Sequence, residues 1–302
     1  MDLQRLRGFY WTAQLGSVSG AAQMMHVSQS AVSHQLRTLE GELGTKLYER
    51  TRHGIALTPD GVRLMEYARR VVQAVDDLQS DFADKGGSPR GTIRIAAFRG
   101  IATHALPAIT QRYHAAYPDV RLIIASRAFD THLLDMVARG EADLGAIASW
   151  NDLRGMHFLE FASHDMVVCT APGHPWAGRT DPLTLEELAG DPLVLYESGT
   201  AIRNRLEQVF HQHDLSPDVT VSVGGSQALL EFVKIGLGVG IVSTLVVAPG
   251  RDPGLNVLPV SDLFGKLGYG FVLPRGRYVS VTVQAFLASA GITSERSARG
   301  TS

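Results

Sequence analysis

A single cysteine, Cys169, stands in a chain of 302 residues. One thiol excludes a disulfide framework within the chain and a zinc site built on cysteine pairs. In the run "DMVVCTA" it reads as a small buried hydrophobe on a strand. Long hydrophobic runs are missing too. No window approaches the roughly 20 apolar residues of a membrane span, and "MDLQRLRGFYW" has no apolar run behind its charges, as a secretory leader would. A cytoplasmic protein with no membrane partner is the expectation. Aromatic residues make up only 7% of the chain, against 31 glycines, which favours an α/β body with many tight turns over an all-β sandwich. A strong charge of one sign is also absent. The formal net charge of -2 excludes a basic coat for nucleic acid, although such a total can hide a local patch.

The signatures of common catalytic chemistries are missing or broken. "GGSQA" fails the last position of a Gly-x-Ser-x-Gly elbow. "GLGVG" precedes a short strand, whereas a dinucleotide turn opens a helix and is followed by an acid about 20 residues on. There is no P-loop, and "SHD" at 163–165 is sequence proximity without a triad. The eleven histidines are scattered. They form no His-x-x-x-His pair, and His211 and His213 do not share a helix face well. No enzyme activity, metal or cofactor is expected.

What is present begins with helices. "DLQRLRGFYWTAQLG" puts Leu3, Leu6, Phe9, Tyr10 and Ala13 on one stripe and stops at Gly16. "SVSGAAQMMHV" reads as a short second helix with Ala21 and Ala22 small enough for close packing. "KLYERTRHGIALT" alternates and turns at His53-Gly54, which suggests a hairpin. "TPDGVRLMEYARRVVQAVDDLQSDFADK" is a long helix with Thr58 as N-cap and Pro59 at its first position. Leu64, Ala68, Val71, Val75, Leu78 and Phe82 form a coiled-coil-like seam on it. A second copy of the chain is the simplest partner for that seam, and packing on the chain's own first domain is the alternative. "KGGSPRG", 85–91, reads as a flexible hinge. Beyond it, strands and helices alternate ("TIRIAAF", then a helix from Ile101 to Pro118, "VRLIIAS", "FDTHLLDMVARGE", "ADLGAIAS"), which implies a parallel sheet. Further βα units follow, with strands near 163–168 and 266–272 crossing between two lobes. The chain ends in a helix and a tail read as disordered.

The stretch "VSQSAVSHQLRTLEGELGTKL" carries the most specific signal. Val32, Leu36, Leu39 and Leu43 fall at spacings of four, three and four and form a buried face. Ser28 is the expected N-cap. Gln29, Ser30, Ser33, His34 and Arg37 lie on the opposite, N-terminal side, and no acid appears before Glu40. Short polar side chains let a helix end approach a flat polar surface, and the helix N-terminus itself attracts anions. Ser, Gln and backbone N–H groups bind phosphates, and Gln can pair with adenine through two hydrogen bonds. A short helix, a turn at His26–Val27–Ser28 and a second helix make a helix-turn-helix. Arg50, Arg52 and His53 on the hairpin suit a neighbouring phosphate or the minor groove. Residues 1–70 hold nine Lys/Arg against six Asp/Glu, a small excess. An ordinary amphipathic helix with a solvated face explains the same spacing, so both readings stay open on pattern alone.

The ordered run from Gly16 to Gly61 narrows the choice. Gly16-Ser17, Ala21-Ala22, Ser28 to Ser33, Gln35, Leu39-Glu40, Leu43-Gly44, Leu47-Tyr48-Glu49-Arg50 and Thr58-Pro59-Asp60-Gly61 resemble the DNA-binding segment of LysR-type transcriptional regulators. Val18 stands where that family often has Phe, and Met25 where Leu is usual; both remain apolar. "HPWAG", "LEELAGDPLVLY" and "VKIGLGVGIVS" resemble the family's sensor domain. The resemblance implies an α+β multidomain chain: a winged helix-turn-helix over 1–58, a dimerising linker helix over 59–84, a hinge over 85–91 and a two-lobed α/β effector domain of the periplasmic-binding-protein type over 92–295. Lobe I would take about 92–163 and 267–295, lobe II about 164–266, and 296–302 would be the disordered tail.

Open α/β sheets bind ligands at the carboxyl ends of strands and at helix N-termini. The loops that qualify hold Phe98, Arg99, Gly100 and Ile101; Ser126; Ser149; Ser198, Gly199 and Thr200; and Gly225 and Ser226. In similar sensors such positions face the cleft between the lobes. They suit a small polar or anionic effector, with Arg99 the candidate for its charge. The expected partners are double-stranded DNA, this effector, a second copy through the linker helix, a homotetramer and RNA polymerase. A ligand-binding or interaction module whose first domain only dimerises is the competing class.

Overall fold

The computed structural model describes residues 1–51, 54–82, 89–127, 130–247 and 252–292. The chain divides into two compact units, Met1–Ser88 and the bulk of the chain from Pro89 onward. In the first, α1 (Leu3–Leu15) starts where the Asp2 carboxylate accepts the Arg5 N–H at 2.9 Å and ends at Gly16, whose φ of 62° suits a residue without a side chain. The Ser17 hydroxyl caps α2 (Val18–Met24) by accepting from Gly20 N at 3.2 Å. That of Ser28 caps α3 (Gln29–Leu43) by accepting from Ala31 N at 3.1 Å. Leu6, Phe9, Ala21, Ala22, Val32, Leu36 and Leu39 close over one another into the core of this unit. Leu43, expected on the buried face, is 42% exposed. It is the last residue of α3, and the helix stops at Gly44 after overhanging the core.

The hairpin pairs β1 (Tyr48–Thr51) with β2 (Gly54–Leu57), antiparallel, Tyr48 opposite Leu57. Arg52 and His53 of the expected turn lie outside the described residues, as does the Arg50 side chain. The hairpin is tied back to the helices, since Ile55 N donates to Gly16 O at 3.1 Å. Its other end meets α4 (Pro59–Phe82). Thr58 caps that helix by accepting from Gly61 N at 3.0 Å and donates to Lys46 O at 2.6 Å.

Glu40 joins these pieces from below. It is 6% exposed, and its carboxylate accepts from Leu47 N at 3.0 Å and from Lys46 Nζ at 2.8 Å. The Lys46 ammonium is in solvent and contributes little. The Leu47 N–H is buried, so the bond to it decides the energetics. Glu40→Ala is expected to cost about 1–3 kcal/mol by orphaning that donor, whereas Lys46→Ala should cost under about 1 kcal/mol. Urea melts of the two variants check the difference.

The seam of α4 splits between two faces. Ala68 is fully buried in the core of the first unit, along with Met65, and Leu64 packs against that core. Val71 and Leu78 are 44% and 57% exposed. They line up with the exposed Tyr67 at spacings of four and seven, so α4 carries one apolar face inward and a second outward. The Phe82 side chain lies outside the described residues.

The second unit opens with β3 (Gly91–Phe98), β4 (Val120–Arg127) and β5 (Leu144–Ala148), with β3 parallel to both neighbours. The helix expected from Ile101 to Pro118 is two helices, α5 (Arg99–His104) and α6 (Leu106–Ala116), broken at Ala105 just before the Leu106-Pro107 start of α6. Next, α7 (Asp130–Ala138) leads to β5. The strand expected from about 163 begins much earlier: β6 runs His157–Thr170. Its first half is half-buried on both faces, so no clean alternation marks it in the sequence.

Then come α8 (Leu185–Gly190), β7 (Leu193–Tyr196), α9 (Ala201–Gln212), β8 (Val219–Val223), α10 (Ser226–Lys234) and β9 (Val239–Ser243). Two short elements not read from the sequence, β10 (Asn256–Pro259) and α11 (Ser261–Phe264), precede β11 (Lys266–Leu273) and α12 (Val281–Ser289). Among the described residues the strands order as β4-β3-β5-β11-β6-β9-β7-β8, with β10 on β6. Residues 157–165 of β6 pair with β11, and residues 166–170 pair with β9 and β10, so this strand passes through both halves of the sheet. The residues expected in a C-terminal tail, 296–302, and most of the expected hinge, 85–88, lie outside the described residues. Among the described residues no helix is long and apolar enough to cross a membrane.

Candidate functional site

The first candidate surface is the N-terminal end of α3. Burial of Val32, Leu36 and Leu39 fixes which side faces out. Gln29, Ser30, His34 and Arg37 are exposed, and Ser33 is half-buried between them. The Ser28 hydroxyl is already engaged: it caps the helix and lies 2.9 Å from Ser30 Oγ. Thr38, which the sequence pattern did not single out, borders the same face and donates to His34 O at 2.9 Å. Val27 and Met24, 40% and 49% exposed, border it on the side of the turn. The turn itself holds His26 at φ 55°, a left-handed conformation unusual for a residue with a side chain. The result is a helix end with free backbone donors, short polar side chains and one guanidinium, and with its first acid, Glu40, turned into the core. Arg52 and His53, candidates from the hairpin, lie outside the described residues, and for Arg50 only the backbone in β1 is described.

The second candidate surface lies at the carboxyl ends of β3, β5, β7 and β8. Phe98, Gly100 and Ile101 are buried in the core, because α5 starts immediately at Arg99. Of that loop only Arg99 offers a side chain, and it reaches the β8–α10 turn: a Cβ built on Gly225 would lie 3.3 Å from Arg99 Cδ. Ser149 is spent on the sheet, accepting from Gly268 N at 3.0 Å and donating its own N–H to Gly268 O at 2.7 Å. Ser198 and Gly199 are exposed. Thr200 is buried, caps α9 and donates to Glu197 O at 3.0 Å. Gly225 starts α10 with no side-chain cap, while Ser226 is buried, as is Tyr196, whose phenol is pushed up by desolvation. Ser126 stands apart at the end of the edge strand β4.

The structure adds Trp150 and Arg205 to these loops. The Arg205 guanidinium carbon is 5.9 Å from the centroid of the Trp150 ring. No motif marks this pair, although Trp150 directly follows the candidate Ser149. Cys169 is buried on β6, and burial pushes its thiol up to about 12, which leaves no reactive thiolate at neutral pH. Among the described residues no group of three or more His, Cys, Asp or Glu is placed to hold a metal ion.

Residues 3–62 match the bacterial regulatory helix-turn-helix protein model of the lysR family, and residues 86–291 match the LysR substrate binding domain. The HTH-type transcriptional regulator CysB of Burkholderia cenocepacia is 32% identical over 270 residues, covering 87% of this chain and 84% of the relative. The HTH-type transcriptional activator CmpR of Synechocystis is 28% identical, with 94% and 93% covered. Among solved structures, a full-length OxyR variant from Pseudomonas aeruginosa superposes with a TM-score of 0.76 at 23% identity, over 97% of this chain and 96% of that one. CbnR, solved in complex with its target DNA, gives 0.67 at 19% identity, over 98% of this chain and all of that one, 100%. Both likenesses are of fold.

Proposed function

Because the chain belongs to the LysR family of helix-turn-helix transcriptional regulators, we propose that it grips and reads DNA with the exposed end of α3. The family assignment carries DNA-binding regulation of transcription, a C-terminal effector-binding domain, and no catalytic role. DNA binding and dimerisation go with this fold.

Gln29, Ser30, Ser33, His34 and Arg37 meet the major groove, Ser28 presents the helix N-terminus to a phosphate, and Arg50, Arg52 and His53 hold the backbone beside it. One observation carries this: α3 turns a donor-rich, acid-free end outward while its apolar face is locked in the core. Two copies associate through the outward apolar face of α4, so that two recognition helices enter successive grooves of a dyad-symmetric site. We extend the assembly to a homotetramer and include RNA polymerase among its partners. In domain terms, residues 1–58 bind DNA, 59–84 dimerise, 85–91 hinge, and 92–295 sense a small effector in the cleft where Arg99 meets Gly225. The effector acts through its different affinity for two arrangements of the sensor.

A gel shift with the DNA flanking the chain's own gene tests the reading. Arg52→Ala should weaken binding about equally for all sequences and lower the salt slope by about one. Gln29→Ala should change sequence preference, with about 1–3 kcal/mol lost at one base pair. If no fragment is retained in a salt-sensitive way, the DNA-binding assignment fails. A thermal-shift screen of the full chain against small metabolites tests the effector domain, since a true ligand stabilises by mass action.

A further inference from the structure

β6 changes partners between Asp165 and Met166, and His164 stands just before that point, opposite Leu267 of β11. Its ring Nδ1 is 3.2 Å from the hydroxyl of Thr244, the residue that follows β9. The same ring packs edge-on against Tyr269 of β11, with centroids 5.7 Å apart. The Tyr269 hydroxyl in turn reaches across β6 to Ser243 Oγ of β9 at 2.6 Å, and both of these residues are buried. Ser243 and Thr244 are neighbours in the chain, so Thr244, His164, Tyr269 and Ser243 form a closed circuit. Its members come from the strands on both sides of β6. Turning one half of the sheet against the other therefore strains it.

The charges near the ring lie on the other face of the strand and are engaged there. Asp165 accepts from Ser261 Oγ of α11 at 3.0 Å and pairs with Lys266 of β11 at 3.2 Å. Glu160 lies against Gly268, which pairs with Ser163 and shares that other face. On the side of His164 the titratable neighbour is the Tyr269 phenol. No carboxylate is hydrogen-bonded to the imidazole among the described residues. Burial holds the half-buried imidazole below its ordinary value of 6.5, and the charge of Asp165 opposes this only in part. A proton added to the ring in place would leave a poorly solvated cation. Moving Thr244 and Tyr269 off the ring returns it to water.

We infer that His164 makes the joint between the two halves of the sheet responsive to pH: the neutral ring pins Thr244 and Tyr269 across β6, and the protonated ring releases them, freeing the halves to rotate. This role needs no effector and stands whether or not the cleft binds one. Its sign follows from the lowered proton affinity. The pin contributes stability that is present above pH 6.5 and is lost as pH falls below that value.

Hydrogen–deuterium exchange of the full chain at about pH 7.5 and about pH 5.5, corrected for intrinsic rates, tests this. Peptides covering residues 162–167 and 242–247 report on the joint, where Thr244 N donates to Asp165 O at 2.9 Å and Met166 N to Ser261 Oγ at 3.0 Å. Their corrected exchange should rise about threefold or more at the lower pH. His164→Gln keeps a hydrogen-bonding side chain without a titrating ring, and His164→Phe keeps the ring contact with Tyr269. Either variant should exchange alike at both pH values in these peptides. His104→Gln is the control, because burial also holds His104 below its ordinary value but that residue lies on α5, outside the circuit. This variant should keep the wild-type response. Wild-type peptides that exchange alike at both pH values overturn the inference. So does a pH response that persists in the His164 variants, or one that His104→Gln abolishes as well.

Discussion

Gly61→Ala is expected to destabilise the N-terminal unit by about 3 kcal/mol, enough to unfold much of it at moderate temperature. A Cβ at Gly61 would sit 1.9 Å from Leu47 O, inside any permissible contact. The clash cannot be relieved cheaply, because the backbone on both sides is pinned. Leu47 O accepts from Thr58 N at 3.2 Å, and Leu47 N donates to the buried Glu40 carboxylate at 3.0 Å. Gly61 N donates to Thr58 Oγ1 at 3.0 Å, and Asp60 accepts from Thr45 Oγ1 at 2.6 Å. Moving either segment breaks several of these bonds. Gly41→Ala is the control, since its Cβ would meet nothing within 4 Å on the exposed face of α3. That change should stabilise the helix by up to about 1 kcal/mol. Urea denaturation followed by circular dichroism compares the two. A Gly61→Ala protein as stable as Gly41→Ala would disprove the close approach between the β1 entry and α4.

Val71→Asp is expected to raise the dimer dissociation constant by about a hundredfold or more while leaving the unit folded. Val71 is 44% exposed and shares the outward face of α4 with Tyr67 and Leu78. In a two-fold dimer each change enters the interface twice, placing like charges near one another in an apolar setting. DNA affinity should fall as well, because two tethered recognition helices reinforce each other through a high effective concentration. Ala68→Asp separates this effect from misfolding. Ala68 is fully buried inside its own unit, so a charge there should collapse the unit itself. Sedimentation equilibrium and thermal melts distinguish the outcomes. A Val71→Asp chain with an unchanged dimer constant removes this face of α4 from the interface.

The sequence showed most where structure is local. Gly16, Ser28 and Thr58 sit where cap chemistry and left-handed backbone put them. Much of the family-like run from Gly16 to Gly61 is scaffold: Ala21, Ala22, Leu39, Glu40 and Leu47 are buried. That explains why the ordered match identified the fold, while the residues proposed to meet DNA lie between these buried positions.

Features that depend on distant chain were harder to read. The α4 seam looked uniform by spacing, yet packing on the rest of the first unit, α1 above all, turns Ala68 inward and leaves Val71 outward. Phe98 and Ile101 seemed to be loop residues, because nothing in the sequence says that α5 begins at once after β3. Trp150 and Arg205 are brought together only when the sheet assembles.

The continuity of β6 also constrains how the sensor can move. Its 14 residues from His157 to Thr170 serve both halves of the sheet, changing partners between Asp165 and Met166. Sliding one half along the other would tear the hydrogen-bond ladders with β11 and β9 together. Torsion is far softer: a rotation of about 20° spread over four residues asks only about 5° of each, inside the ±15–20° scatter of ordinary strands. The strand thus behaves as a torsion bar, stiff to shear and compliant to twist. The direction in which an effector can move the sensor is then set by the backbone shared between the two halves of the sheet, before any ligand contact is made.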